Sequence, residues 1–164
     1  RLLPHCGRLH LGDLTVETFP VPHDAAGPVG FLFHCAKHTI ALVTDLGYVT
    51  PYIRTRLQQI DALVLEANHD EQMLVSGSYP RHLKQRIKGR TGHLSNETAA
   101  ENPLQILTPR LSHVVLAHLS TENNLPQLAY DTVCGRLEAA GRRPALLSVQ
   151  VAERHTPSCF IRLI

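Results

Sequence analysis

Two short apolar runs, Ala62–Leu65 (ALVL) and Val114–Ala117 (VVLA), do most to limit what this chain can become. Neither alternates between apolar and polar residues. A continuous apolar run of this length, bounded by polar segments, marks a strand covered on both faces, as in a parallel sheet with helices packed on it. Each run also ends on an ionisable side chain: Glu66 after the first and His118 after the second. Buried strands that deliver acids and imidazoles to one edge of a sheet make a ligand site, because the loops at strand ends converge.

The remaining pattern interleaves strands and helices. Leu14–Phe19 alternates and reads as a strand. Phe31–Cys35 and Thr39–Thr44 read as two more, joined by the short Ala36-Lys37-His38 link of a hairpin. Thr50 before Pro51 is a helix start, with Ile53, Leu57 and Ile60 on one apolar face. Tyr79–Lys88 reads as a basic helix. Asn96–Leu107 reads as helical until Pro103 breaks or kinks it, and Leu125–Ala140 as a helix ended by Gly141. Ala145–Ala152 and Cys159–Ile164 look like closing strands. Residues 1–164 thus read as one domain of α/β class.

Composition narrows the function. No run of about 18 apolar residues is present, so a transmembrane helix is not expected. Sixteen Lys and Arg oppose fourteen Asp and Glu, so global charge selects no partner. The four cysteines, Cys6, Cys35, Cys134 and Cys159, form no CxxC pair. They are expected to be small buried residues of a protein in a reducing, cytoplasmic compartment. The eleven histidines stand out beside 5% aromatics and no Trp. Polar chemistry has been placed in imidazole, whose two common uses are metal ligation and proton transfer.

The chemistry-bearing residues fall at strand ends. They are His23-Asp24, Asp45, Glu66 within Glu66-Ala67-Asn68-His69-Asp70, His93 within Gly92-His93-Leu94-Ser95-Asn96, and His118. Taken singly, each has an ordinary use: a loop histidine with a hydrogen bond, a carboxylate capping a turn or pairing with an Arg. Jointly, His23, Asp45 and His118 are the nitrogen and oxygen donors that suit Zn²⁺ or Mn²⁺. Residues 81–90 carry five Lys and Arg and no acid. Such a run is usually a solvated surface, but beside a metal site it would attract a polynucleotide backbone. Aromatic residues do not interleave it, so base stacking is not expected there. GxSxG elbows and Walker or Rossmann glycine loops are absent from the sequence.

In these stretches the sequence resembles the metallo-β-lactamase-fold metallohydrolases. Within them it is most similar to the phosphodiesterase and nuclease branch that holds RNase Z-like enzymes and YycJ-type bacterial proteins. The matching segments are Val21-Pro22-His23-Asp24-Ala25, Thr44-Asp45-Leu46-Gly47-Tyr48, Leu65-Glu66-Ala67-Asn68-His69-Asp70, Gly77-Ser78-Tyr79-Pro80, Gly92-His93-Leu94-Ser95-Asn96 and Leu116-Ala117-His118-Leu119-Ser120. The resemblance implies the C-terminal portion of a four-layer αββα sandwich. It implies two divalent metal ions, with His23 and His118 as ligands and Asp45 bridging them. It makes Glu66 and His93 the proton-transfer pair and puts Ser95 and Asn96 near the phosphate. Lys84, Lys88 and Arg90 would hold the substrate backbone. His69 and Asp70 belong to a subfamily motif without an evident role.

The family's HxHxDH motif is not in this sequence; His5 and His10 lack its spacing. The resemblance places it upstream, so residue 1 reads as mid-domain. The implied activity is hydrolysis of phosphodiesters, as an exonuclease-like nuclease on DNA or RNA, with a homo-oligomer as an open expectation. Two alternatives stay open: a thioester or lactam hydrolase of the same fold, and a non-catalytic nucleic-acid-binding half-fold.

Overall fold

A computed structural model of the chain describes residues 6–141, 146–158 and 160–163. Its strands are β1 (Arg8–Leu11), β2 (Leu14–Pro20), β3 (Val29–Cys35), β4 (His38–Val43), β5 (Ala62–Glu66), β6 (His113–Ala117) and β7 (Ser148–Val151). They form one sheet in sequence order. The first four pair as antiparallel hairpins; β4, β5, β6 and β7 run parallel. The helices are α1 (Pro51–Arg56), α2 (Glu71–Ser76), α3 (Arg81–Ile87), α4 (Asn96–Ile106) and α5 (Pro126–Ala139). The fold is α/β.

The register explains the core. Leu32, Ala41, Leu63, Val114 and Val149 are successive cross-strand partners, so they share one face of the sheet. They join Ile53 and Leu57 of the α1 turn, Ala99 and Ile106 of α4, and Ala129, Val133 and Leu137 of α5 in one buried cluster. Parallel strands advancing in one direction through right-handed crossovers place all these helices on that face. The opposite face carries Phe31, Phe33, Ile40, Leu42 and Val64, all half-buried, with the two phenyl rings 6.1 Å apart. It is apolar as well, which is why ALVL and VVLA do not alternate.

Local chemistry sets the boundaries. The Thr50 hydroxyl accepts from the Ile53 N–H at 3.1 Å, with Pro51 opening α1. Gly141 takes φ +60 just beyond α5, a conformation a Cβ would strain. Gly47 is fixed by space instead: a Cβ there would come within 2.4 Å of the Arg90 backbone. The loop after β4 and the loop after α3 therefore touch main chain to main chain.

Several expectations are corrected. α4 runs through Pro103 to Ile106 rather than stopping at it. Residues 160–163 form no strand, Cys159 and Ile164 lying outside the described residues. β1 and α2 had no strong periodic signal; α2 is only six residues long. Cys6 and Cys35 are exposed, and only Cys134 among the described cysteines is buried. Cys35 sits at the end of β3, beyond the covered part of the sheet.

Leu63 is fully buried at the centre of the cluster. Leu63→Ala is expected to cost about 2–5 kcal/mol in urea unfolding, as core truncations of this kind do. A loss under about 1 kcal/mol would mean that the helix face does not carry the core.

Candidate metal centre

Three parallel strands aim at one edge. The register Val43–Leu65–Leu116 brings the C-terminal ends of β4, β5 and β6 level, so Asp45, Glu66 and His118 emerge side by side. His23, from the loop after β2, and His93, from the loop ahead of α4, complete the group. The His93 ring centroid lies 4.9 Å from that of His23 and 5.4 Å from that of His118.

Glu66 organises the cluster from beneath. Its side chain is fully buried. Oε1 accepts from His93 Nδ1 at 2.5 Å and from His118 Nδ1 at 3.0 Å, and Oε2 accepts from the Leu46 N–H at 3.1 Å. Burial works against ionisation, but the hydrogen bonds from His118 and His93 outweigh it and hold the carboxyl below its ordinary range. In turn, the bond to Glu66 raises the pKa of His118 against the opposing effect of burial.

An imidazole whose Nδ1–H is tied to a carboxylate or carbonyl turns its Nε2 lone pair outward, the arrangement of a metal-binding histidine. His118 is held this way by Glu66, and His23 by the Gly92 carbonyl at 3.0 Å. Both Nε2 atoms stand 3.7 Å from the same oxygen, Asp45 Oδ1. Donors bound to one tetrahedral ion at about 2.1 Å sit about 3.4 Å apart, so these separations fit shared coordination with little movement. Asp45 and His118 have φ +57 and +58. Non-glycine residues keep such a backbone only where the surroundings impose it, often at functional sites. The donor chemistry, spacing and strain all fit divalent metal. Among the described residues, the donor sets whose atoms all lie within 4.8 Å of one another are His23, Asp45 and His93, and Glu66, His93 and His118; His93 belongs to both, whereas His23 and His118 meet only through Asp45.

A cleft of about 270 Å³ opens beside His93 and His118 and is walled by Tyr79, Arg86, Asn68 and Arg154. Arg86 grips Asp24 through Nε at 2.5 Å and Nη2 at 3.0 Å, and these bonds keep the Asp24 carboxyl below its usual range. Asn68 fastens the strand-end edge: its Nδ2 donates to the His118 carbonyl at 3.0 Å, and its own carbonyl accepts from the Ser120 N–H at 2.8 Å. Asn68 lies in the EANHD segment, but the sequence did not single it out from its neighbours.

Other expected site residues are occupied elsewhere. Ser95 is buried as the cap of α4, accepting from the Thr98 N–H at 3.2 Å. Asn96 is fully buried and exchanges two 2.9 Å hydrogen bonds with Asn124. Neither lines the cleft, so phosphate contact by these side chains does not fit their placement. Lys84 donates to the Val75 and Gly77 carbonyls at 2.7 and 2.6 Å, closing the end of α2. Lys88 is exposed, 3.5 Å from Glu71, and Arg90 lies 4.5 Å over the Tyr48 ring. Two residues of the motif left without a role make local hydrogen bonds. Asp70 caps α2 through the Met73 N–H at 2.7 Å, and the His69 carbonyl accepts from the Asn96 N–H at 2.8 Å.

The arrangement of sheet, helices and strand-end cluster is that of the metallo-β-lactamase fold. The structure aligns over 93% of its length with 52% of the metallo-β-lactamase fold protein YhfI from Bacillus subtilis (TM-score 0.62, 15% identity). It also aligns over 92% of its length with 48% of Zn²⁺-bound PqqB from Methylobacterium extorquens (TM-score 0.60, 19% identity). The family model of the beta-lactamase superfamily domain matches residues 4–119, and the chain belongs to that superfamily. It is 42% identical over 130 residues to exodeoxyribonuclease YycJ of Bacillus anthracis. That match covers 79% of this chain and 49% of the relative, so the chain spans about half the relative's length.

His69, 2% exposed, yields a pH test. Burial pushes its pKa down to about 4, although the Glu66 and Glu71 carboxylates pull the other way. The folded protein keeps it neutral where the unfolded chain takes up a proton near pH 6.5, so its contribution is complete above that pH and is lost as pH falls towards 4. The loss amounts to about 3 kcal/mol over the window. In urea unfolding from pH 7 to pH 5, His69→Gln should show a shallower decline than the parent chain. Parallel curves would contradict a neutral buried imidazole.

Proposed function

We propose that this chain supplies the metal-bridging and proton-transfer side of a metal-dependent phosphodiesterase that removes nucleotides from the ends of DNA. The observation that carries the reading is Asp45 Oδ1 standing 3.7 Å from two outward-facing Nε2 atoms, above a buried carboxylate that fixes one of the two rings and a third imidazole. The similarity to an enzyme named exodeoxyribonuclease supports DNA as substrate.

In this scheme His23, Asp45 and His118 are the side chains that would hold zinc or manganese. When bound, the ions supply Lewis-acid charge that polarises the phosphate. The protein's own groups do the rest. Glu66 holds His93 through Nδ1, so the opposite ring nitrogen, Nε2, faces the cleft where a proton would pass to the leaving oxygen. The Glu66–Leu46 bond keeps the Asp45 loop at a fixed distance from both rings. Arg86, already paired with Asp24, orients a cleft wall rather than binding phosphate. Lys88 and Arg90 remain accessible to a nucleic-acid backbone. A cytoplasmic setting accords with the free cysteines, and among the described residues no helix is long and apolar enough to cross a membrane.

Asp45→Asn tests the reading in the intact protein. Asn is at home in the left-handed region, so the fold should survive, with the urea midpoint in chelator unchanged. Metal content after dialysis should fall from two ions towards one or none, and exonuclease turnover should fall at least about 100-fold, the scale of losing an electrostatic stabiliser. Full metal content with unaltered turnover would overturn the assignment. Hydrolysis of a thioester but of no phosphodiester by the parent protein would move it to a different branch of the fold.

A further inference from the structure

A second cleft, of about 590 Å³, begins at His118 and runs between the loop ahead of α5 and the segment after β7. His118, Leu119, Ser120, Thr121 and Arg154 line it and the smaller cleft beside His93 alike, so the two are continuous. Its far wall is apolar: Leu125, Pro126 and Ala152 line it, and Leu125 is 55% exposed. Polar residues also line it, but several are engaged within the protein. Asn124 lines it, but its side chain is spent on Asn96 and the Ala67 carbonyl, and Glu153 is bonded to the Thr156 hydroxyl at 2.5 Å. The Ser120 hydroxyl accepts from the Glu122 and Asn123 N–H groups at 3.3 and 3.1 Å, which leaves the Arg154 guanidinium and the Thr121 hydroxyl at the junction, and the exposed His155 imidazole farther along, to meet a ligand. Volume and lining are those of a pocket for a single small organic group, not of a groove for a polymer.

Resting on the phosphodiesterase reading, we propose that this cleft seats the base of the terminal nucleotide of the substrate, with Arg154 at the junction holding the phosphate that joins it to the scissile position. An apolar wall accepts the faces of any base without reading its edge, which suits sequence-tolerant degradation. A cation is needed where the base meets its phosphate, and Arg154 is the charged residue common to both clefts with no acidic partner among the described contacts. Aliphatic side chains replace the aromatic platforms usual for single strands, in keeping with a chain without Trp.

The experiment compares two chromogenic esters on the intact, metal-loaded protein: thymidine 5′-(p-nitrophenyl) phosphate, which carries a base, and bis(p-nitrophenyl) phosphate, which does not. Leu125→Asp is the probing variant; it alters an exposed side chain at a helix N-cap position, where Asp is a favoured residue, so folding should be retained. The proposal expects kcat/KM for the thymidine ester to fall about 10-fold, the scale on which a hydrophobic pocket discriminates, with the base-free ester changed less than about 2-fold. Arg154→Gln should weaken oligonucleotide binding and lower the slope of log K against log salt by about 1, with Arg154→Lys restoring the slope. Equal effects of Leu125→Asp on both esters, or none on either, overturn the base pocket while leaving the phosphodiesterase reading intact. Failure of the parent protein to hydrolyse either ester overturns that reading, and the pocket assignment with it.

Discussion

A single buried carboxylate arranges this molecule's chemistry. Glu66 ends a strand that is covered on both faces, so its charge cannot be solvated by water. It is tolerated because three donors converge on it: two imidazole N–H groups on one oxygen and the Leu46 amide on the other. An unpaired buried carboxylate would be neutral, and a neutral Glu66 would leave both rings free to turn. The same three bonds fix which nitrogen of each ring faces outward and how far the Asp45 loop stands from them. Orientation of the candidate ligands is thus a consequence of satisfying one buried charge.

That arrangement stores strain in the backbone. Asp45 and His118, whose side chains stand 3.7 Å apart, both sit in left-handed conformations, at about 1–3 kcal/mol each. The cost is met below the edge, where Leu63, Leu65, Val114 and Leu116 pack the parallel strands against the helices. Asn68 and Asn124 tie the loops down through main-chain carbonyls. The site's loops are thus held by a rigid floor.

Much of this was legible because buried strands and their ends follow simple rules. ALVL and VVLA located β5 and β6, and the residues just past them, Glu66 and His118, proved to be bonded partners. Thr50-Pro51 marked its helix for the reason capping predicts. What was not legible depends on which local hydrogen bond wins. Ser95, Asn96 and Lys84 are polar residues near a site, and spacing alone does not reveal that a cap, an Asn pair and two carbonyls have claimed them. Pro103 lies inside a helix that tertiary packing keeps whole, with the Asn102 side chain donating to the Thr98 carbonyl at 2.8 Å. Arg154 and Leu125 carry no motif at all; only their meeting across a cleft makes them conspicuous.

The account stands on Glu66 fixing the tautomers of His93 and His118. Nitrogen-15 NMR of the imidazole rings, in chelator at pH 8, observes this directly. Both rings should be protonated at Nδ1 with slowly exchanging protons, and replacing Glu66 by alanine should release them to the ordinary Nε2–H preference of a free imidazole. An Nε2–H tautomer of His118 in the unsubstituted protein would contradict this arrangement, since its lone pair would then point away from any shared ion.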